Sequence, residues 1–373
     1  MDLGKNGSQA TDHVTRIHPA AMRIFLAVFF AAGILFGRAA GQNFAGTNGA
    51  ASRFDWAGAN FVARGGWGRM IRLPNDGWLC VNTRFGRGES SLEIRLTTNA
   101  FQSWSKLSEV EVPGRFLDNG ELIQLPSREI LLTGRSLINE ESYRLPVYRS
   151  LDGGKSWAAI GSIDANEGPP GSLPQRGLWE PHFFLLNDGR LAVAYANEKH
   201  AAEKPAFSQV CSERISSDGG KNWGDEIILA AEPGGGKLRP GMPVVARMSN
   251  GKFIAAYEVV GVGDADVFCK ISEDGEHWPA GLGSHIEGQH AGPWVTALAD
   301  GQLLLTSCAN RFSRSRDFGA TWNFVEPAAW NFGTGKVFTW PAIYEIATNR
   351  IAAMVSRRGV QLRFGRLVDE TKN

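Results

Sequence analysis

Little in this chain favours a metal, a nucleotide or a nucleic acid. Its 373 residues carry 39 Lys and Arg against 38 Asp and Glu, a formal net charge of +1. That balance gives no electrostatic footing on nucleic acid or an anionic membrane surface, and no basic stripe is present. The seven histidines show no HExxH or other paired metal spacing, so no metal and no cofactor is expected. There is no G-x-S-x-G elbow for a serine nucleophile and no phosphate-binding loop. Cysteine is scarce. Cys80, Cys211, Cys269 and Cys308 all fall in strand-like runs, without a CxxC pair. They read either as buried free thiols or as holding one disulfide in an exported protein. Nothing resembles a long amphipathic helix within residues 60–370, which leaves strands as the building material.

The one conspicuous apolar run, Ile24–Phe36, is 13 residues long. It follows Met22-Arg23 and precedes the small-residue stretch GRAAGQ (Gly37–Gln42). A charged start, a short apolar core and small residues read together as a secretory signal over residues 1–42. The run is short for a membrane span; an uncleaved anchor is the competing reading. Residues 1–21 are long and polar for the front of a signal, and Met22 stands where one normally begins. A secreted or periplasmic location is expected. Residues 43–373 then form one domain, expected to work as a monomer without a membrane span.

What the chain has is repetition. SLDGGKSW (Ser150–Trp157), SSDGGKNW (Ser216–Trp223) and SRDFGATW (Ser315–Trp322) match the template Ser-x-Asp-x-Gly-x-x-Trp at every fixed position. ISEDGEHW (Ile271–Trp278) carries Ile271 and Glu273 where Ser and Asp are expected, and TTNAFQSW (Thr97–Trp104) is a worn fifth copy. A short Asp side chain closes a turn locally, Gly supplies positive φ, and Trp buries a large apolar face. Because the unit recurs, it reads as structural; a catalytic site occurs once.

Between these Asp-boxes run apolar strand pairs joined by tight turns such as Asn-Asp-Gly, Asn-Gly and Asp-Gly, strong hairpin signals. Taking the turns at Gly77, Glu129, Gly189, Gly251, Gly301 and Arg350 spaces them about 49 to 62 residues apart, room for one four-stranded blade each. The expected fold is all-β: a six-bladed β-propeller of four-stranded antiparallel blades with Asp-box turns. Only one strand, Gly359–Val368, follows the sixth hairpin. The missing outer strand is expected near Phe54–Val62, closing the ring.

Aligning hairpins on their turns exposes the opposite face. Nine residues before the turn stand Gly68, Gly120, Glu180, Met242, Gly292 and, shifted by one, Trp340. Seven residues after it stand Arg84, Ser136, Ala196, Glu258, Cys308 and Arg357. Glu180 and Glu258 are the only acids in their columns, and they come from neighbouring blades. Two carboxylates across a cleft are what glycosidic cleavage requires: one donates a proton, the other attacks or activates water. The competing reading is a structural salt bridge, with Arg239 as partner. Trp179, His182, Tyr195, Asn197, Glu198, His290, Trp294 and Trp340 fall near the same strand ends. Of these, Trp179, His182, Asn197, His290, Trp294 and Trp340, with Arg69 and Arg239, are the candidate substrate-binding residues. Each Trp could equally fill the core.

The Asp-boxes and six hairpins resemble the sialidase superfamily across nearly all of residues 43–373. LWEPHFFLLNDGRLAVAYANEKH (Leu178–His200), SERISSDGGKNWG (Ser212–Gly224) and LRPGMPVVARMSNGKFIAAYEVVG (Leu238–Gly261) are more specific. They resemble glycoside hydrolase family 93, retaining exo-α-1,5-L-arabinanases. The resemblance implies Glu180 as acid/base, Glu258 as nucleophile and an oligo- or polysaccharide partner. It also implies a functional tyrosine in the last blade. There VFTWPAIYE offers Trp340 at the channel and Tyr344 deeper. Two alternatives stand: an exo-sialidase, for which GRMIRLP (Gly68–Pro74) faintly resembles an Arg-Ile-Pro motif, and a non-catalytic carbohydrate-binding propeller.

Overall fold

A computed structural model describes residues 52–86, 89–174, 176–332 and 339–369. The expected signal segment, residues 1–42, lies outside the described residues. The first described strand is β1 (Ser52–Ala63). Blade 1 follows: β2 (Gly66–Arg72), β3 (Trp78–Phe85), β4 (Ser90–Thr97) and β5 (Ser105–Val110). Blade 2 holds β6 (Phe116–Gln124), β7 (Ile130–Ile138), β8 (Ser142–Ser150) and β9 (Ala158–Glu167). Blade 3 holds β10 (Leu178–Leu185), β11 (Leu191–Asn197), β12 (Val210–Ser216) and β13 (Ile227–Ala230). Blade 4 holds β14 (Arg239–Arg247), β15 (Phe253–Val260), β16 (Asp266–Ser272) and β17 (Ser284–His290). Blade 5 holds β18 (Trp294–Ala297), β19 (Leu303–Thr306), β20 (Phe312–Ser315) and β21 (Asn323–Val325). Blade 6 holds β22 (Ala342–Ala347), β23 (Arg350–Ser356) and β24 (Val360–Asp369), with β1 as its outer strand.

This is the six-bladed β-propeller that the repeats imply. Every blade is a four-stranded antiparallel sheet, and blades 1 and 2 are linked by one parallel pairing, Ser90 with Phe116. The innermost strands β2, β6, β10, β14, β18 and β22 neighbour one another in turn, and β2 returns to β22. β1 pairs with β24 from Ser52–Asp369 to Ala63–Val360, the position expected for the closing strand.

Blades pack face to face, so their middle strands are buried on both sides. All of β11, LAVAYAN, is buried. That is why such strands read as continuous apolar runs rather than alternating ones. Phe184, Ala192 and Ala194 of blade 3 meet Val245, Phe253 and Tyr257 of blade 4 in one cluster. The alanines keep the blades close beneath the large rings. All four cysteines are buried free thiols, which settles the alternative between thiol and disulfide.

In the Asp-boxes, Ser150 Oγ accepts from the Gly154 amide at 2.8 Å, and Asp152 Oδ1 accepts from the amides of Lys155 and Ser156 at 3.0 Å each. The same bonds recur around Ser216 and Asp218. The fourth copy corrects the alignment above. Ser272 and Asp274, not Ile271 and Glu273, take these roles: Gly275 N–H donates to Ser272 Oγ at 2.9 Å, and the Glu276 and His277 amides donate to Asp274 Oδ1. This box is one residue shorter between Asp and Gly. Its Trp278 indole donates to Glu213 Oε2 of blade 3 at 2.8 Å, as Trp157 of blade 2 donates to Ser108 of blade 1. These two box tryptophans thus pin blades 4 and 2 to their predecessors.

The hairpin register also needs correcting. Each turn places one residue in the left-handed region: Asp76, Arg128, Gly189, Gly251, Gly301 and Asn349. In the first five, that residue's amide donates to the carbonyl three residues back. In blades 1, 2 and 6 this residue is one earlier than the sequence alignment places it. Asp76 takes the left-handed conformation although Gly77 follows it, while Arg128 and Asn349 do so with no glycine present.

Candidate active site

With the turn residues corrected, the position nine before each turn becomes Trp67, Asn119, Glu180, Met242, Gly292 and Trp340. All six are left-handed, with φ of 54°, 50°, 46°, 51°, 52° and 41°. The pairing of β2, β6, β10 and β14 with their hairpin partners slips at this point. A bulge of this kind re-aims side chains at the rim of a sheet. For the five residues that are not glycine, the conformation costs about 1 kcal/mol or more each. Glu180 owes its orientation to this break, and it is the one acid among these six. In a ring of six, blade 3 faces blade 6, so Trp340 stands across the mouth from Glu180. Trp340 neighbours Trp67, with ring centroids 6.0 Å apart.

The position seven after each turn becomes Thr83, Arg135, Ala196, Glu258, Cys308 and Ser356. Glu258 keeps its place, and Arg135 replaces Ser136. Arg84, outside the corrected column, is paired at the surface with Glu109 at 3.2 Å. Glu258 is only 8% exposed. Its Oε2 accepts the Gly292 amide of blade 5 at 2.6 Å, a donor presented by that blade's own left-handed residue.

The two glutamates differ in proton affinity. Burial, then the charge of Glu258, pushes the Glu180 carboxyl up to about 8; the Arg135 charge opposes this. Burial pushes Glu258 up only to about 6, because the Gly292 amide and the Arg239 charge favour its ionised form. A pair of carboxyls split in this way can hold one proton and one charge near neutral pH. Arg239 is not the direct partner of either. It donates to Glu198 Oε1 at 2.5 Å and to Gln209 Oε1 at 2.8 Å.

Several expected binding residues lie elsewhere. Arg69, His182 and Trp294 belong to a second ring, seven before each turn, together with Glu121, Val244 and Ala342. Arg69 is 3% exposed and sits over the Trp67 ring at 4.4 Å and the Trp294 ring at 4.8 Å. His182 contacts the Val245 carbonyl at 3.1 Å and stands edge-on to Trp294. This layer fills the channel below the mouth. Asn197 is fully buried and bonds Glu226 and the Lys199 amide; it braces a loop. Tyr195 is fully buried and donates to Asp164. His290 ends β17, the outer strand of blade 4, at the entry to blade 5. Trp179 is at the mouth, but the Arg135 guanidinium covers one ring face at 3.9 Å. Tyr344 is the deeper residue anticipated: its hydroxyl accepts the Met70 amide at 2.9 Å, and its ring packs on Trp78 and Trp294.

Blade 2 supplies what the sequence reading missed. Arg135 forms a two-pronged pair with Asp118, Nε donating to Oδ1 at 2.7 Å and Nη2 donating to Oδ2. Asn119 occupies the rim beside Glu180. A correct turn register would have exposed Arg135 and Asn119 as column outliers. Among the described residues, no group of three or more His, Cys, Asp or Glu side chains could hold a metal ion, and no helix is long and apolar enough to cross a membrane.

No protein-family model matches the chain, and no curated protein matches it in sequence. Solved structures do match. A Penicillium chrysogenum α-L-arabinanase complexed with arabinobiose superposes with a TM-score of 0.70 at 18% identity, covering 84% of this chain and 98% of that one. The family 93 α-L-arabinofuranosidase of Fusarium graminearum, also with arabinobiose, gives 0.69 at 15% identity, covering 84% and 98%. The NanB sialidase of Streptococcus pneumoniae gives 0.57 at 10% identity, covering 82% and 69%. The chain shares its propeller fold with these enzymes, and superposes better on the arabinanase and the arabinofuranosidase than on the sialidase.

Proposed function

We propose that the protein is a retaining exo-glycoside hydrolase that acts outside the cytoplasm on arabinan or a related polysaccharide. The observation that carries this reading is the split pair, Glu180 and Glu258. They come from adjacent blades at one channel mouth, and one retains its proton where the other ionises. Glu180 donates its proton to the glycosidic oxygen as that bond breaks. Glu258 attacks the anomeric carbon and forms a glycosyl-enzyme ester. Water then attacks the same carbon, Glu180 takes the water's proton, and the ester opens to release the sugar and restore both carboxyls. The Gly292 amide holds one Glu258 oxygen and leaves the other for attack. Trp340 offers a ring face across the mouth, backed by the buried Trp67, and Asn119 offers an amide beside the acid.

The sialidase reading needs a tyrosine at the channel mouth, and Tyr344 is instead packed beneath it with its hydroxyl engaged. Arg69, which would meet a substrate carboxylate, is buried between two indoles. The test is product release by the purified protein from linear arabinan, arabinoxylan and sialyl substrates. Arabinan should be cleaved from its ends, and Glu258→Gln should abolish that release. Undiminished release by that variant would sink the assignment.

A further inference from the structure

The corrected register puts Arg135 on blade 2 at the position Glu258 occupies on blade 4. Glu180 on blade 3 lies between them. Arg135 is 3% exposed and Asp118 is 6% exposed. Their fork is built into the floor of the mouth: β6 supplies the acid, β7 supplies the base, and Trp179, one residue before Glu180, is stacked under the guanidinium at 3.9 Å. Such a bidentate pair fixes both the place and the plane of the guanidinium. An ion pair in a buried site is weak evidence for stability, because desolvation offsets the attraction. Its placement suggests another role.

We propose that Arg135 is a positioning residue that holds the Trp179–Glu180 bulge and supplies a counter-charge to Glu180, with Asp118 metering how much of that charge Glu180 feels. The proposal deepens the hydrolase reading of the same site and rests on it for its role in turnover. When Glu180 gives its proton to the leaving oxygen, it becomes an anion beside Glu258, which turns neutral as its ester forms. A cation fixed nearby stabilises Glu180 as a carboxylate, ready to take the proton from water. A free arginine would hold Glu180 ionised from the start and remove the acid. Asp118 prevents that by sharing the charge.

The groups facing Glu180 fit this division. Glu258 on β15, Asp118 on β6 and Glu198 after β11 each favour its protonated form, and Arg135 on β7 opposes them. Arg239 on β14 is committed to Glu198 and Gln209.

The test is a carboxyl titration of the full chain by 13C NMR, with glutamate Cδ labelled and Glu180→Gln identifying the resonance. In Asp118→Asn, Arg135 is released to Glu180, and the midpoint should fall by about one to three pH units. In Asp118→Asn/Arg135→Met the cation is gone as well, and the midpoint should rise above that of the parent. The double variant buries no unpaired charge, so it decides alone if the single variant does not fold. A merely structural pair leaves both midpoints where they were, and that result overturns the proposal. So does a double variant that titrates below the parent. The readout needs no substrate. Loss of the hydrolase reading would therefore show in the arabinan assay, and loss of this one in the titration.

Discussion

The split between Glu180 and Glu258 predicts a pH profile that assigns their roles. In the proposed reaction Glu258 must be ionised to attack and Glu180 protonated to donate. With the two near 6 and 8, kcat/KM should be bell-shaped, with its maximum near pH 7 by symmetry. At that pH each group is in its working form by about ten to one, so about four-fifths of molecules are competent. The swapped state, Glu180 ionised and Glu258 protonated, is about 100-fold rarer, a difference of about 2.7 kcal/mol. Initial rates on linear arabinan from pH 4 to 10 would measure this. Glu180→Gln should lose the upper limb and about 10²- to 10⁴-fold of the rate. Two unperturbed limbs near pH 4 would refute the reasoning, as would an alkaline limb that persists in Glu180→Gln.

Other outcomes follow from single sites. Burial holds the Glu121 proton up to about pH 8 in the fold, while the unfolded chain releases it near its ordinary value of 4.5. Between those values the folded state binds more protons, so this group lowers stability as pH rises, by at most about 1.4 kcal/mol per pH unit. Glu121→Gln should therefore raise Tm relative to the parent more at pH 8 than at pH 5; an equal difference at both would contradict this. Asp218→Ala removes the acceptor of two box amides and should lower Tm by a few degrees while leaving arabinan kinetics unchanged. The four buried thiols should resist a thiol reagent in the native protein and all react after unfolding, with no effect of reductant on Tm. Early labelling of any of them would count against the packing described.

Much of the architecture was legible because it repeats. The Asp-boxes and the apolar pairs set the blade count. The shortage of strands after Gly359 pointed to β1, which closes blade 6. Glu180 and Glu258 were legible because blades 3 and 4 both turn on a glycine at the left-handed position. The misread columns share one cause. Gly77 was taken as the left-handed residue when Asp76 holds that place, and Arg128 and Asn349 do so without glycine. Asp and Asn tolerate this conformation through local hydrogen bonding; nothing in the local sequence marks Arg128. One slipped residue hid Arg135 behind Ser136 and Asn119 behind Gly120. The depth of Arg69, His182 and Trp294 was not legible either, since a residue two places along the same strand lines the same channel one layer down.

The pairing of β1 with β24 also imposes an order in time. Ser52 and Asp369 bond across a sequence separation of 317. As the chain is made, the first of these strands must wait for the last. Its edge stays open until then, and closing so long a loop is slower than forming any hairpin. Blades 3 and 4 can fold around Glu180 and Glu258 early. The wall opposite them, with Trp340 and Trp67, becomes fixed only when the final strand docks. A chain that stops before Val360 would carry both glutamates and still lack an enclosed mouth, so the complete site is the last feature this protein acquires.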